Sequence, residues 1–79
     1  MARVLLFGPL RDLAGWRERD VEGATVSELR AFLAREDADL GAALAGKGVQ
    51  VAVDQAVVRG DAVLTAASEV AFLPPMSGG

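Results

Sequence analysis

Two short segments at opposite ends of this chain, RVLLFG (residues 3–8) and EVAFLP (residues 69–74), are apolar on both sides of their pleat. Side chains alternate across a strand, so Val4 and Leu6 share one face and Leu5 and Phe7 the other; Val70 and Phe72 likewise oppose Ala71 and Leu73. Strands that are apolar on both faces belong in the middle of a sheet, covered on each side. Gly8-Pro9 stops the first, and Pro74-Pro75 forbids continuation of the last as a paired central strand. Two such neighbours running parallel, with a helix crossing one face between them, define an α+β roll: a mixed sheet with one main helix packed on one face.

The intervening residues supply the other parts. LRDLAG (residues 10–15) reads as a helical turn, with Leu10 and Leu13 three apart and Gly15 at a C′ position. Trp16 and Val21 flank a charged stretch suited to a short, mostly solvated edge strand. Thr25-x-x-Glu28 is a capping box, in which the two side chains satisfy each other's orphan backbone donors. The helix it opens carries Val26, Leu29, Phe32 and Leu33 as one stripe, with Glu28, Arg30, Arg35 and Glu36 in water. Asp39 is the expected cap of a shorter helix through Leu44. VQVAVD (residues 49–54) alternates as a third strand, and Asp54-Gln55 turns it into a brief fourth strand at residues 56–58.

At 79 residues there is room for one domain with a modest core, expected to span residues 1–75 and to be followed by a flexible tail, 76–79. The chain holds no Cys and no His, so disulfides, zinc fingers, thiol nucleophiles and imidazole bases are excluded, and no metal site is expected. No segment reads as a cleavable signal peptide and no apolar run approaches the ~20 residues of a membrane span, so a soluble, cytoplasmic protein without membrane contact is expected. The net charge of −3, with eight scattered basic residues, disfavours nucleic-acid binding.

One helix stripe covers one face of the sheet, yet Leu5, Phe7, Val57, Ala71 and Leu73 point to the other. An exposed apolar patch of that kind marks an interaction surface, and the tail begins beside it. Residues 76–79 extend ~3.3 to 3.6 Å each, a reach of about 13 to 14 Å from that surface. Pro74-Pro75 stiffens the base of the tail, and Gly78 and Gly79 offer no side chain to obstruct a narrow channel.

These features resemble a known family. VLLFGPLRDLAG looks like the opening strand and turn, and EVAFLPPMSGG like the closing strand, diproline and diglycine tail, of the MoaD/ThiS sulfur carriers, ubiquitin-like proteins of the β-grasp fold. Within that family the likeness is to the small subunits of molybdopterin synthase, and it covers nearly the whole chain. It implies that the carboxylate of Gly79 is the chemical group: a ubiquitin-activating-type (MoeB-like) enzyme adenylates it with ATP, and sulfide from a persulfide donor displaces AMP. The thiocarboxylate then enters a MoaE-like large subunit and gives its sulfur to cyclic pyranopterin monophosphate, in an assembly expected to be a heterotetramer. By the family pattern Phe7, Val57 and Leu73 fall in the docking patch, and Pro75, Met76, Ser77 and Gly78 form the inserted tail. No cofactor is held by the carrier itself, and no side-chain active site is expected. The sequence departs from the family at AASEVA (residues 66–71), where an acidic-glycine turn is usual, and at Leu73, where an aromatic residue is common.

Other recipients stay open: thiamin thiazole synthesis, tRNA thiolation, or conjugation to proteins through an isopeptide bond. The thiazole carriers usually lack the LRDLAG turn and the diproline. A passive interaction module with an inert tail is a further reading. Among single residues, Trp16 is expected to cap the edge of the core. Arg11 is expected either in solvent or against an acidic partner group, and Lys47 is a loop charge without the desolvation that makes a catalytic amine.

Overall fold

In the computed structural model, which describes residues 1–75, the chain runs β1 (Ala2–Leu6), α1 (Pro9–Ala14), β2 (Glu18–Val21), α2 (Val26–Glu36), α3 (Ala38–Leu44), β3 (Gln50–Val53), β4 (Ala56–Val58) and β5 (Glu69–Leu73). The strands form one sheet in the order β2-β1-β5-β3-β4. The two doubly apolar strands are neighbours near its middle and run parallel, with Val4 opposite Val70 and Leu6 opposite Phe72, while every other pairing is antiparallel. A parallel pair cannot be joined by a hairpin, and α2 and α3 lie in the connection between β1 and β5. The charged β2 takes one edge, as its composition requires, and β4 the other.

One face of the sheet and the helices enclose the core. Val4, Leu6, Val70 and Phe72 are fully buried there against Leu29 and Leu33 of α2 and Leu40 of α3. Burying each such side chain contributes roughly 1.5 to 3 kcal/mol. Phe32, expected in the same stripe, sits at its half-buried margin. More than one helix therefore closes this face: α3 contributes Leu40 and Leu44, and α1, folded as a six-residue helix from Pro9, contributes Leu10.

Local signals set the helix boundaries, with two departures from expectation. Thr25 Oγ1 accepts the Glu28 N–H at 3.1 Å, but the Glu28 carboxylate accepts from the N–H of Ala24, at 3.2 Å, one residue before the cap. The shorter helix α3 is capped by Asp37 and not Asp39: Asp37 Oδ1 accepts the N–H groups of Asp39 and Leu40, at 3.1 Å each. Asp37 also donates its own N–H to Leu33 O, so one residue closes α2 and opens α3. Gly15 ends α1 in the left-handed conformation, φ 83°. Asp54 and Gln55, at φ 51° and 72°, form the two-residue hairpin turn between β3 and β4, the type I′ geometry that matches strand twist.

Residues 59–68 connect β4 to β5 and are tied to the start of α2. Val26 N–H donates to Ala62 O, Leu64 N–H donates to Ala24 O, and Asp61 Oδ1 accepts the N–H of Ser27 at 2.9 Å. Leu64 enters the core. The turn before β5, which lacks the family's glycine, is closed by hydroxyls. Thr65 N–H donates to Ser68 Oγ at 2.9 Å, and Ala67 N–H donates to Thr65 Oγ1 at 3.2 Å. No helix among the described residues is long and apolar enough to cross a membrane.

Candidate functional site

Residues directly opposite across a ladder point to the same face, which fixes what the helix-free side presents. Leu5 lies opposite Ala71, Ala71 opposite Ala52, and Ala52 opposite Val57, so a continuous row crosses four strands from β1 to β4. Leu73, two residues beyond Ala71, carries this row to the end of β5, and Phe7 follows directly on the end of β1. Phe7 is 44% and Val57 56% exposed, and Leu5, Ala71 and Leu73 are half-buried. Of the five residues expected on the open face, the ladder places Leu5, Ala71, Leu73 and Val57 there, and Phe7, just past the end of β1, is exposed. Among the described residues, the only helices pack on the opposite side, and residues 61–64 of the connection are hydrogen-bonded to the start of α2 and to Ala24 before it.

Two members of this surface went unmarked in the sequence pattern. Ala52 sits in its middle, buried at 7% exposure between Ala71 and Val57, and Gln50 lies opposite Leu73. The alternation of VQVAVD held the signal, since it sends Gln50, Ala52 and Asp54 to the face away from the core. Side-by-side alanines at 52 and 71 make a low floor, with the larger Leu5, Phe7, Leu73 and Val57 around it.

The surface is graded along the strands. At the end distant from the tail it becomes charged: Arg3 lies between Asp20 and Glu69 in register and bridges Glu18 at 3.0 Å. Both partners of that bridge are about half exposed, so it contributes little to stability. At the other end stand Phe7, Leu73 and the diproline. The β5 ladder stops at Leu73, whose partner is Gln50, because neither proline that follows carries an N–H. Pro74 and Pro75 border an apolar groove of about 490 Å³ with Pro9, Leu10, Ala43 and Val49. Lys47, the single lysine, also lines this groove and is exposed.

Other candidate side chains lie apart from this end. Trp16 is half-buried against the core, and Arg19 lies over its ring at 5.4 Å while reaching Glu36 at 2.8 Å; the three tie the β2 edge to the end of α2. Among the described residues Arg11 pairs with Asp12 alone, at 3.8 Å, and both are exposed. Asp61 has its carboxyl held below the ordinary carboxylate range, chiefly by the Ser27 N–H it accepts, with smaller help from Ala62 N–H and the Arg30 charge. That carboxylate ties the 59–68 connection to the start of α2. Met76, Ser77, Gly78 and Gly79, the expected tail, lie outside the described residues.

A five-stranded sheet in this order, with its ends parallel in the middle and α2 across one face, is a ubiquitin-like β-grasp, as the sequence resemblance implied. The chain belongs to the ThiS family, whose sequence model matches residues 4–79. It is 37% identical over its full length, and over the full length of the relative, to the molybdopterin synthase sulfur carrier subunit of Escherichia coli. Among solved structures it is similar to small archaeal modifier protein 1 from Haloferax volcanii, with a TM-score of 0.81 at 28% identity over 99% of this chain and 98% of the other. The same-named protein from Methanosarcina acetivorans superposes with a TM-score of 0.87, over 99% of this chain and 95% of the other. At 23% identity that second likeness speaks to the fold alone.

Proposed function

We propose that this chain is the sulfur-carrying subunit of a molybdopterin synthase. The observation that carries the reading is the 37% identity, end to end, with the E. coli protein of that name. The uncovered apolar surface that runs up to the diproline supports it. In this reading the carboxylate of Gly79 attacks the α-phosphate of ATP on a ubiquitin-activating-type enzyme, releasing pyrophosphate and forming an acyl adenylate. Sulfide then attacks the acyl carbon, the bond to AMP breaks, and a thiocarboxylate remains. Phe7, Val57 and Leu73 dock on a MoaE-like large subunit, while Pro75, Met76, Ser77 and Gly78 carry the thiocarboxylate into the pocket holding cyclic pyranopterin monophosphate. Two such transfers build the dithiolene, and the spent carrier returns with its carboxylate restored. The carrier supplies a consumed group and a docking face; ATP and the pterin are bound by its partners.

The test is to incubate the chain with the activating enzyme, ATP and a sulfur source and to weigh it. Exchange of one terminal oxygen for sulfur is expected, and dithiolene should form once the large subunit and the pterin are added. A chain whose mass stays unchanged is no carrier. A thiocarboxylate that yields no dithiolene belongs to another recipient.

A second reading draws on the likeness, at 28% identity, to a protein named as a small archaeal modifier. There the same acyl adenylate would be taken by a lysine amine, with AMP leaving and an isopeptide bond forming. Incubation with ATP and cell extract separates the two, because only a modifier leaves Gly79 joined to other polypeptides.

A further inference from the structure

The diproline raises a physical problem. A tail that must enter a pocket has to leave the sheet in a defined direction, yet Pro74 and Pro75 have no N–H with which a ladder could hold them. Their restraint comes from the strands on either side of β5. Gly8 follows β1 and faces Pro74: a Cβ built on Gly8 would lie 3.3 Å from Pro74 Cγ. Gly48 precedes β3 and faces Pro75 still more closely, since a Cβ there would lie 2.7 Å from Pro75 Cβ and 3.5 Å from its Cα. Each proline is thus pressed against a glycine backbone contributed by a different neighbour of β5.

Backbone conformation accounts for only part of Gly48: its φ of +85° strains any L side chain, as the +78° of Gly60 does. What sets Gly48 apart is the space above it. Gly60, at φ +78°, has nothing within 4 Å of the corresponding position. Gly8, at φ 57° and ψ −133°, is required by both backbone and contact.

We infer that Gly8 and Gly48 form a saddle that seats the diproline and aims the carboxyl-terminal residues, which makes both glycines positioning residues for the chemistry at Gly79. This rests on the carrier reading above. A methyl group at residue 48 lifts Pro75 from its seat and swings the start of the tail, and for a reaction that depends on alignment a shift of about 1 Å costs up to about 100-fold in rate.

The experiment measures adenylation by pyrophosphate exchange for the full chain and for Gly48→Ala, Gly8→Ala and Gly60→Ala, alongside Tm. Gly60→Ala shares the strain of positive φ but touches no proline, so it should lose stability and keep its kcat/KM. Gly48→Ala should lose about 10- to 100-fold in kcat/KM. Pro75→Gly removes the group the saddle seats, so adding Gly48→Ala to it should cost little more, and the two substitutions are expected to be strongly non-additive. Should Gly48→Ala fail to fold, Gly8→Ala, with the looser 3.3 Å contact, takes its place. Equal activity in Gly48→Ala and Gly60→Ala, or additive losses in the double variant, overturns the saddle. Nuclear Overhauser contacts from Gly48 to Pro75 and from Gly8 to Pro74 in the free chain test the seat without any enzyme, and their absence also overturns it. A parent chain that no activating enzyme adenylates sinks the carrier reading instead, and those contacts still decide whether the seat exists.

Discussion

Along β5, Val70 and Phe72 have no exposed surface, whereas Ala71 and Leu73, one residue away each, are half open to water. The same contrast holds on β1 between Val4 or Leu6 and Leu5, and on β3 between Val51, which faces the core, and the exposed Gln50 beside it. The apolar rows of the two faces hold much the same kinds of residue, although the open face also carries Arg3, Glu18, Asp20, Gln50 and Glu69. Only one has helices over it. The composition of those rows does not separate the core from the open face; what separates them is whether this chain supplies the cover. The apolar row that the chain leaves bare is the one proposed to dock a partner.

The sharpest way to break that comparison is to truncate one aromatic residue on each face. Phe72→Ala removes a fully buried ring from the middle of the core and should cost about 3 to 5 kcal/mol. That is comparable with the whole stability of a chain this small, roughly 4 to 12 kcal/mol at ordinary values per residue. A urea titration measures it, and a small shift in midpoint would mean that the helices do not close this face as described. Phe7→Ala, at a residue 44% exposed, should leave the midpoint within about 0.5 kcal/mol of the parent. Its effect belongs to binding: affinity for the large subunit should fall by about 2 kcal/mol, some 30-fold, as for an aromatic anchor at the centre of an interface. Calorimetric titration of the two subunits reads this directly. If Phe7→Ala unfolds the chain and leaves docking intact, the two faces have exchanged roles.

Much of this contrast was legible in the sequence. Period-two alternation in RVLLFG and EVAFLP assigned both faces, and chain ends apolar on both sides placed their strands together in the sheet's interior. The open-face residues Leu5, Phe7, Val57, Ala71 and Leu73 follow from the same count. What escaped was of two kinds, local choices between near neighbours and approaches between residues far apart in the chain. Whether Asp37 or Asp39 caps α3 cannot be read from the run EDADL; it is decided where α2 must stop and turn, with the Asp37 N–H closing α2 while its carboxylate opens α3. The reading of residues 10–15 as a single turn underestimated Pro9, whose fixed φ begins a helix one residue sooner. The contacts of Gly8 with Pro74 and of Gly48 with Pro75 join residues far apart in the chain, and only the order β1-β5-β3 brings them together. At residues 66–71, Ser68 and Thr65 hydroxyls perform the closure that an acidic-glycine turn would, a substitution invisible until their partners are placed.

A smaller effect sharpens the same contrast at the rim of the covered face. Thr25→Ala removes the hydroxyl that accepts the Glu28 N–H and should cost about 1 kcal/mol in a urea titration. Because α2 covers the core face alone, affinity for the large subunit should not change. A variant that loses docking in proportion to stability would show that the two faces are coupled through the helix.

The smallest expected effect is electrostatic and depends on pH. Asp61 accepts N–H groups from Ser27 and Ala62, so its folded-state pKa lies below the unfolded value. A depressed carboxylate contributes stability that is fully present above its unfolded pKa and is lost as pH falls through the folded one. Asp61→Asn should therefore be less stable than the parent at neutral pH, and the gap should close as acid protonates the parent's carboxyl. Urea midpoints for both chains across this range measure the gap. If instead the gap widens in acid, the carboxylate has the opposite sign of linkage, and the tie from the 59–68 connection to α2 does not rest on its charge. Asp61 serves the element that covers the core, so affinity for the large subunit should stay constant across the substitution. That pairing of a pH-dependent fold with an unchanged docking face is what independent faces require.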